Sequence, residues 1–342
     1  MEIFLILSRE HETLPLAELR AILDAENIDY DLKEVEMGVV KLNTDNEDAA
    51  DIIAKRIAYG HEICSLIKDT DIDNLENDIL SIDWKEIIDE NFALRVKKIE
   101  SLENDSQIME KKFGALIKAQ AGEKIKVKLE KPQTFIRVLV TGSRVLIGKR
   151  ETKIDKKHFF NLKPHKRPFF YPGSMSPKLA RCMINLSRAK TGDLLLDPFC
   201  GTGGILIEAG IIGTRILGTD IDEKMVKGAA KNLEYCGAKD FHIFQADARK
   251  LDLEEKVNAV VTDPPYGISA STAGEESSTI FRDFLKSISN NLLENGLICL
   301  ASPHYVSVNG LIQGTEFKIL ERHEIRMHKS LTRVISVLGR AG

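Results

Sequence analysis

The chain of 342 residues is 43% hydrophobic and 29% charged, a composition ordinary for folded proteins and long enough for about two domains. It contains no apolar run near the roughly 20 residues of a membrane span and no recognisable secretory signal. Its five cysteines are scattered without metal-type spacing. These features argue against membrane, secreted disulfide-rich and zinc-binding proteins, and we expect a cytoplasmic chain with reduced thiols and no metal site.

The formal net charge of −4 conceals an uneven distribution of charge along the sequence. Residues 1–94 carry 8 basic and 24 acidic side chains, residues 95–190 carry 24 and 8, and residues 191–342 carry 16 and 20. A basic middle third in an acidic chain is typical of proteins that bind a nucleic-acid backbone, although a solvated lysine-rich surface would have the same composition. We expect a nucleic-acid partner.

Residues 1–150 alternate short strands and helices, which predicts an α+β region. The pattern of strands and helices predicts a small βαβ-type unit over residues 1–46 and a second domain over residues 47–150. In that domain, strand 124–130 alternates strictly, so its lysines would share one face and its apolar side chains the other. The side chains expected to bind RNA from its strands are Arg95, Lys97, Lys124, Lys126 and Lys128.

The order of these strands, with two more at 137–140 and 145–148, resembles a THUMP domain, an RNA-binding module of tRNA-modifying enzymes. The resemblance implies that residues 47–150 bind the acceptor region of tRNA. It also implies that residues 1–46 form the ferredoxin-like unit that usually accompanies this module.

Residues 151–168 predict a basic linker that ends in Arg167, a further candidate for RNA binding. Phe159 and Phe160 lie among its lysines. Aromatic rings between basic residues either stack on bases or wedge two domains together, and the sequence favours neither role.

Residues 169–342 alternate strands and helices regularly and end in two strands, 317–327 and 333–338, which should pair as a hairpin. This order predicts an α/β, doubly wound sheet with a terminal antiparallel hairpin. It resembles the class I, Rossmann-like methyltransferase domain, which uses S-adenosylmethionine (SAM). Segments similar to 171–175 in amino-methyltransferases lie over the methionine end of that cofactor, which implies a role in SAM binding for Tyr171 and Ser174.

A buried apolar strand, 194–196, leads through Asp197 into the glycine-rich turn 198–204, a corner typical of nucleotide-type sites. The spacing of a dinucleotide fingerprint fails because Leu206 stands where the third glycine belongs. An acid at this corner would repel a pyrophosphate, whereas it suits the ammonium and sulfonium of SAM. The residues of this turn expected to bind the cofactor are Phe199, Gly201, Thr202 and Gly203.

Asp197, Asp220 and Asp247 follow three successive strands, an order that chance placement of acids in loops explains poorly. Asp220 is placed to accept both ribose hydroxyls, with Ile221 beside it. Asp247, with Ala248, is placed to bind the adenine amino group.

The segment Asp263-Pro264-Pro265-Tyr266 ends another apolar strand and resembles the motif of methyltransferases that act on exocyclic amines of nucleobases. Such an amine is a poor nucleophile because its lone pair is delocalised into the ring. We expect Asp263 and the Pro264 carbonyl to accept its two N–H groups and Tyr266 to stack on a flipped base. The flexible composition of 267–278 indicates a lid that orders on RNA.

Together, these motifs resemble the archaeal tRNA guanine-N2 methyltransferases that modify position 10. The resemblance implies one and then two methyl groups on the same nitrogen, tRNA as partner and SAM as methyl donor. We expect a monomer, and the sequence does not decide whether a small activator protein is needed. The alternatives are a THUMP enzyme acting on tRNA position 6 or on ribosomal RNA, a DNA adenine-N6 methyltransferase, and a non-catalytic RNA-binding protein.

Overall fold

The structure is a computed structural model that describes residues 1–99, 105–142, 144–265, 275–328 and 331–341. The chain divides into two units. The first comprises Met1–Glu12, Ile28–Ala54 and Gly60–Ile154, and the second comprises Thr13–Asn27, Lys55–Tyr59 and the chain from Asp155 onward.

The strands are numbered along the chain. They are β1 (Glu2–Leu7), β2 (Asp31–Glu36), β3 (Val39–Asn43), β4 (Gly60–Thr70), β5 (Asn91–Lys98), β6 (Lys126–Val127), β7 (Thr134–Val140), β8 (Val145–Lys153), β9 (Leu194–Asp197), β10 (Arg215–Asp220), β11 (Phe241–Gln245), β12 (Val257–Thr262), β13 (Leu292–Pro303), β14 (Phe317–His328) and β15 (Leu331–Arg340). The helices are α1 (Leu14–Ala25), α2 (Ala49–Arg56), α3 (Leu75–Ser81), α4 (Trp84–Ile87), α5 (Ser106–Ala121), α6 (Lys157–Asn161), α7 (Pro177–Leu186), α8 (Gly204–Ile211), α9 (Glu223–Tyr235), α10 (Glu275–Ser289) and α11 (Val308–Leu311).

The first unit is built on one sheet with the strand order β2-β3-β1-β4-β8-β7-β5-β6. Strands from both sides of the domain boundary expected between residues 46 and 47 belong to this one sheet. Leu94 and Val96 of β5 pack with Phe113 and Ile117 of α5, because alternate residues of the strand face the helix. The two strands expected at 137–140 and 145–148 are present as β7 and β8, and they pair antiparallel.

The strand predicted over residues 124–130 is wrong in length and in its apolar face. Only Lys126 and Val127 form β6, which pairs with β5 at the edge of the sheet. Val127 and Leu129 are 52% and 57% exposed, and of the predicted apolar face only Ile125 packs against the apolar cluster of β5 and α5. Lys124, Lys126 and Lys128 are exposed as well, and they do not share one face of a regular strand.

Helix α1 belongs to the second unit, although the sequence placed it in an N-terminal α+β unit with β1. Leu14 and Ala21 of α1 share an apolar cluster with Leu179 and Met183 of α7. The apolar stripe of a helix is satisfied by any complementary surface, and here that surface comes from a segment more than 150 positions later.

The second unit contains a sheet with the order β11-β10-β9-β12-β13-β15-β14. The strands from β11 to β13 run parallel, and β15 runs antiparallel to both of its neighbours. The doubly wound sheet and its terminal hairpin are therefore confirmed. Central β9 is buried on both faces, with Leu195 in one apolar cluster and Leu196 in the other. Since the carboxyl ends of parallel strands meet at one edge of a sheet, the acids that end β9 and β10 and those just beyond β11 and β12 line one cavity.

Candidate active site

The turn between β9 and α8 depends on two glycines with left-handed backbone conformations. Gly201 has φ +50° and Gly203 has φ +76°. A Cβ on Gly203 would also lie 3.2 Å from the Cβ of Ala229 on α9, so the turn packs closely on that helix. The backbone N–H of Gly203 donates to the Cys200 carbonyl at 2.8 Å, which closes the turn before the helix begins.

Asp197 is buried at the end of β9 and lines the cavity above the turn. Its Oδ1 accepts the Thr262 hydroxyl at 2.7 Å and the Phe199 N–H at 3.2 Å. Burial raises the pKa of the Asp197 carboxyl to about 7, because the charged form loses its hydration, and the nearby charges of Asp220 and Asp263 act in the same direction.

Asp220 ends β10 with both carboxylate oxygens oriented by backbone donors. The Gly201 N–H donates to Oδ2 at 2.9 Å and the Asp222 N–H donates to Oδ1 at 3.0 Å. The bond from Gly201 ties the end of β10 to the glycine turn, and the bond from Asp222 orients the carboxylate locally. Ile221 is exposed beside Asp220, and both residues line the cavity.

Asp247 lies two residues beyond β11 and caps a short 3-10 helix, Ala248–Lys250. Its carboxylate accepts hydrogen bonds from the Arg249 guanidinium at 2.7–3.1 Å. These bonds lower the pKa of Asp247. Asp247 and the buried Ala248 line the cavity, but the sequence did not indicate that Arg249 would engage this carboxylate.

The segment 171–175 lies against the glycine turn. The Ser174 hydroxyl donates to the Tyr171 carbonyl at 2.7 Å, and Ser174 Oγ and Thr202 Oγ1 share a hydrogen bond of 3.1 Å. Both Tyr171 and Ser174 line the cavity together with Phe199 and Thr202. The hydrogen bonds therefore hold 171–175 against the glycine turn at the wall of the cavity.

Asn232 and Gly228 of α9, which the sequence analysis did not single out, hold the backbone and the ring of Phe169 in place. Asn232 of α9 accepts from the Phe169 N–H at 2.9 Å and donates to the Phe169 and Thr202 carbonyls. The Phe169 ring fills the space where a Cβ on Gly228 would lie, 2.1 Å from the nearest ring atom. In the sequence, Asn232 and Gly228 are a polar residue and a glycine within a predicted helix, and neither pattern identifies Phe169 as the residue they contact.

These elements enclose a cavity of about 560 Å³. Five aspartates line it, namely Asp197, Asp220, Asp222, Asp247 and Asp263. Pro265 also lines the cavity, whereas Pro264 is buried and is not among the lining residues. Tyr266 and most of the predicted lid lie outside the described residues. An acidic cavity of this kind favours a cationic ligand.

Asp263 follows β12 and forms an ion pair with Arg333 of β15. Asp263 Oδ2 lies 3.2 Å from Arg333 Nη2. Both side chains are largely buried, with 16% and 15% exposed. Nothing in the sequence indicated this pair, because the two residues are 70 positions apart and on strands that are not neighbours.

The residues expected to bind RNA differ in their exposure and in their partners. Arg95 forms an ion pair with Glu110 at 3.1 Å, and burial lowers the pKa of Lys97. Arg167 is wrong as a surface RNA contact, because it is only 5% exposed, its Nε donates to the Leu162 carbonyl, and its guanidinium lies beside Gly204. Phe159 packs against the apolar cluster beneath α7, while Phe160 is exposed with Lys166 Nζ 3.4 Å from its ring centroid.

No cluster of three or more His, Cys, Asp or Glu side chains suited to a metal ion occurs in the part of the chain that the structure describes. None of the helices formed there has the length and apolar character needed to cross a bilayer.

The strand order, the glycine turn and the acids at the ends of the parallel strands define a class I methyltransferase. A family described as RMKL-like, methyltransferase domain, matches residues 164–335. A second family, described as DNA methylase, matches residues 48–232 and so ends before Asp263.

Relatives carry the comparison further. The tRNA (guanine(10)-N2)-dimethyltransferase of Methanothermobacter thermautotrophicus is 50% identical over 340 residues, which cover 99% of this chain and 100% of that one. TrmN from Thermus thermophilus has a similar fold, with a TM-score of 0.59, 20% identity and full coverage of both chains. A putative methyltransferase complexed with SAH matches at a TM-score of 0.54 and 14% identity, covering 100% of this chain and 98% of its own. The chain belongs to the tRNA (guanine(10)-N2)-dimethyltransferase family.

Proposed function

We propose that this chain transfers methyl groups from SAM to the exocyclic N2 of guanine 10 in tRNA, giving N2-methylguanosine and then N2,N2-dimethylguanosine. The observation that carries the proposal is that Asp263 lines the same cavity as the acids that follow β9, β10 and β11. A hydrogen-bond acceptor for a nucleobase amine thus lies in one enclosure with groups suited to a cationic cofactor.

The residues of the cavity fit SAM, which carries an ammonium and a sulfonium. Asp197 would hold the ammonium, Asp220 the ribose hydroxyls, and the 247–248 corner the adenine, while segment 171–175 would cover the methionine end. Gly201 lines the cavity without a side chain to fill it, whereas Gly203 does not line the cavity and packs against α9. When bound, SAM supplies the methyl group as an electrophile, and its sulfur keeps the electrons of the broken methyl–sulfur bond.

The nucleophile needs activation, because the lone pair of guanine N2 is delocalised into the base. Asp263 and the Pro264 carbonyl would accept the two N–H groups and turn the lone pair toward the methyl group. Each transfer would form one nitrogen–carbon bond, and the nitrogen would release one proton along its hydrogen bond to the Asp263 carboxylate, from which it passes to solvent. Neighbouring prolines stiffen this segment and keep the acceptors aimed. Stacking of Tyr266 on the flipped base stays a prediction.

The first unit is proposed to bind the tRNA as a THUMP-containing region. Its sequence resembles that module, and exposed lysines 124, 126 and 128 lie along its edge at β6. The cavity of the second unit is rich in carboxylates, which would repel phosphates. Positive charge outside the cavity is therefore needed to hold the RNA backbone.

Labelled-methyl transfer to a tRNA transcript tests the proposal. We expect transfer to a transcript with guanine 10, loss of transfer when that guanine is replaced by adenine, and dimethylguanosine in the digested product. Asp263→Ala should lower kcat by about 10²- to 10³-fold while tRNA binding is retained, and Asp252→Ala, at an exposed position, should change neither. Transfer that survives replacement of guanine 10 would contradict the assignment of the position.

A DNA adenine-N6 methyltransferase is the second candidate, because the match to the DNA methylase family covers residues 48–232. The same assay with an adenine-containing DNA duplex separates the two candidates. Methylation of DNA with no methylation of tRNA would favour the second.

A further inference from the structure

Arg333 and Asp263 approach each other across an intervening strand. Strand β13 lies between β12 and β15 in the sheet. Thr262 pairs with Leu300, and Arg333 pairs with Pro303. Arg333 must therefore extend over β13 to bring its Nη2 within 3.2 Å of Asp263 Oδ2.

The alternation of side chains places both partners on the same face of the sheet. Ala259 and Val261 of β12, and Ile335 and Val337 of β15, all belong to the apolar cluster that covers that face. Asp263 and Arg333 continue those two series in steps of two residues. On β13 the corresponding residue is Ala301, whose small buried side chain leaves room for the arginine to pass.

We infer that Arg333 is a positioning residue for Asp263, in addition to the groups of the proposed function, on which this inference rests. An ion pair with both partners about 85% buried is held more firmly than a surface pair, because few waters compete for it. The guanidinium fixes one carboxylate oxygen and thereby sets the plane in which the carboxylate meets the guanine amine.

The second methylation depends more strongly on this arrangement than the first. Guanine N2 starts with two N–H groups for two acceptors, whereas the monomethylated amine has one N–H left. Its orientation then rests on one hydrogen bond, and the charged acceptor forms the stronger one. Loss of Arg333 therefore slows the second transfer more than the first, and monomethylguanosine accumulates.

Steady-state kinetics and product analysis of Arg333→Met and Arg333→Lys test the inference. In Arg333→Met we expect kcat to fall about 10- to 100-fold, with KM for tRNA and affinity for SAM changed less than about threefold, and with monomethylguanosine as the main product. Arg333→Lys retains a cation on a flexible stem and should restore part of kcat and of the dimethylated product. Unchanged SAM affinity also shows that the variants are folded.

Arg326→Met is the matched control, since it removes one arginine from an exposed position of the neighbouring strand β14. It should leave kcat and the product ratio unchanged. A raised KM with unchanged kcat in Arg333→Met would mean that Arg333 contacts RNA, and an unchanged product ratio with unchanged kcat would mean that it has no role. Either result overturns this inference alone, whereas failure of the unaltered chain to methylate tRNA overturns the proposed function with it.

Discussion

Three aspartates in one cavity differ because each meets a different environment. Asp197 is buried and accepts two hydrogen bonds from neutral groups, which leave its pKa near 7. Asp247 instead meets the guanidinium of Arg249, and its pKa is lowered. Asp220 is oriented by two backbone N–H groups. Residue type alone predicted three acceptors, but only the surroundings decide which of them changes charge near neutral pH.

The affinity for SAM should therefore depend on the charge of Asp197. Its folded pKa lies above its ordinary value of 3.8, so it is increasingly protonated as the pH falls below about 7. Protonation removes the negative charge that attracts the ammonium of SAM. Between pH 7.5 and pH 6 we expect the dissociation constant to rise by up to about 10-fold, measured by isothermal titration calorimetry.

Asp197→Asn supplies the control for this titration. The variant should bind SAM weakly at every pH and show no pH dependence in this interval, because the titrating group is gone. The same pH dependence in the unaltered chain and in Asp197→Asn would assign the titration to another group.

At the scale of helices and strands, the sequence predicted what is encoded locally. The alternating elements of residues 169–342, the glycine turn and the acids that end strands lie within short segments, and the structure contains them, whereas the strand expected at 124–130 is reduced to Lys126–Val127. The docking of α1 on α7 and the Asp263–Arg333 pair depend on residues far apart in sequence, and no local pattern specifies them. Arg167 was misjudged for a related reason, since a basic residue among aromatics can also be buried beside Gly204.

A buried ion pair joins two helices of the second unit and predicts a measurable cost when it is broken. Arg181 Nη2 of α7 lies 2.8 Å from Glu208 Oε2 of α8, and His158 Nε2 lies 3.1 Å from Glu208 Oε1. Arg181→Met leaves the fully buried Glu208 carboxylate without its strongest partner. We expect the free energy of unfolding to fall by about 3–5 kcal/mol in urea denaturation.

The double variant Arg181→Met with Glu208→Gln should recover part of that loss, because it also removes the buried charge. Arg322→Met is the surface control. It breaks the half-exposed pair with Glu324 and should cost less than about 1 kcal/mol. Equal losses at the two sites would mean that the Arg181–Glu208 pair is no more important than a surface pair.

Over the whole molecule, negative charge lines the cavity and positive charge is concentrated in the middle of the sequence. The cavity that would hold a cationic cofactor is lined by aspartates, whereas tRNA is a polyanion. Residues 156–192 contain nine lysines and arginines and no acid, and residues 95–155 are also rich in lysine. Positive charge in the middle of the sequence can attract the RNA backbone that the carboxylates of the cavity would repel.

Reversing the charge of Lys124, Lys126 and Lys128 to glutamate tests whether the edge of the first sheet binds RNA. These lysines are exposed and form little regular structure, so the substitutions should not affect folding. If they contact phosphates, tRNA affinity should fall at least about 10-fold, and the slope of log affinity against log salt should become shallower by up to about 3. The same reversal at exposed Lys33, Lys85 and Lys256, in acidic parts of the sequence, equalises the change in net charge. Equal losses of tRNA affinity in both triple variants would mean that net charge alone causes the effect. Unchanged affinity in the first variant would mean that RNA binds elsewhere, for which the acid-free stretch 156–192 is the next candidate.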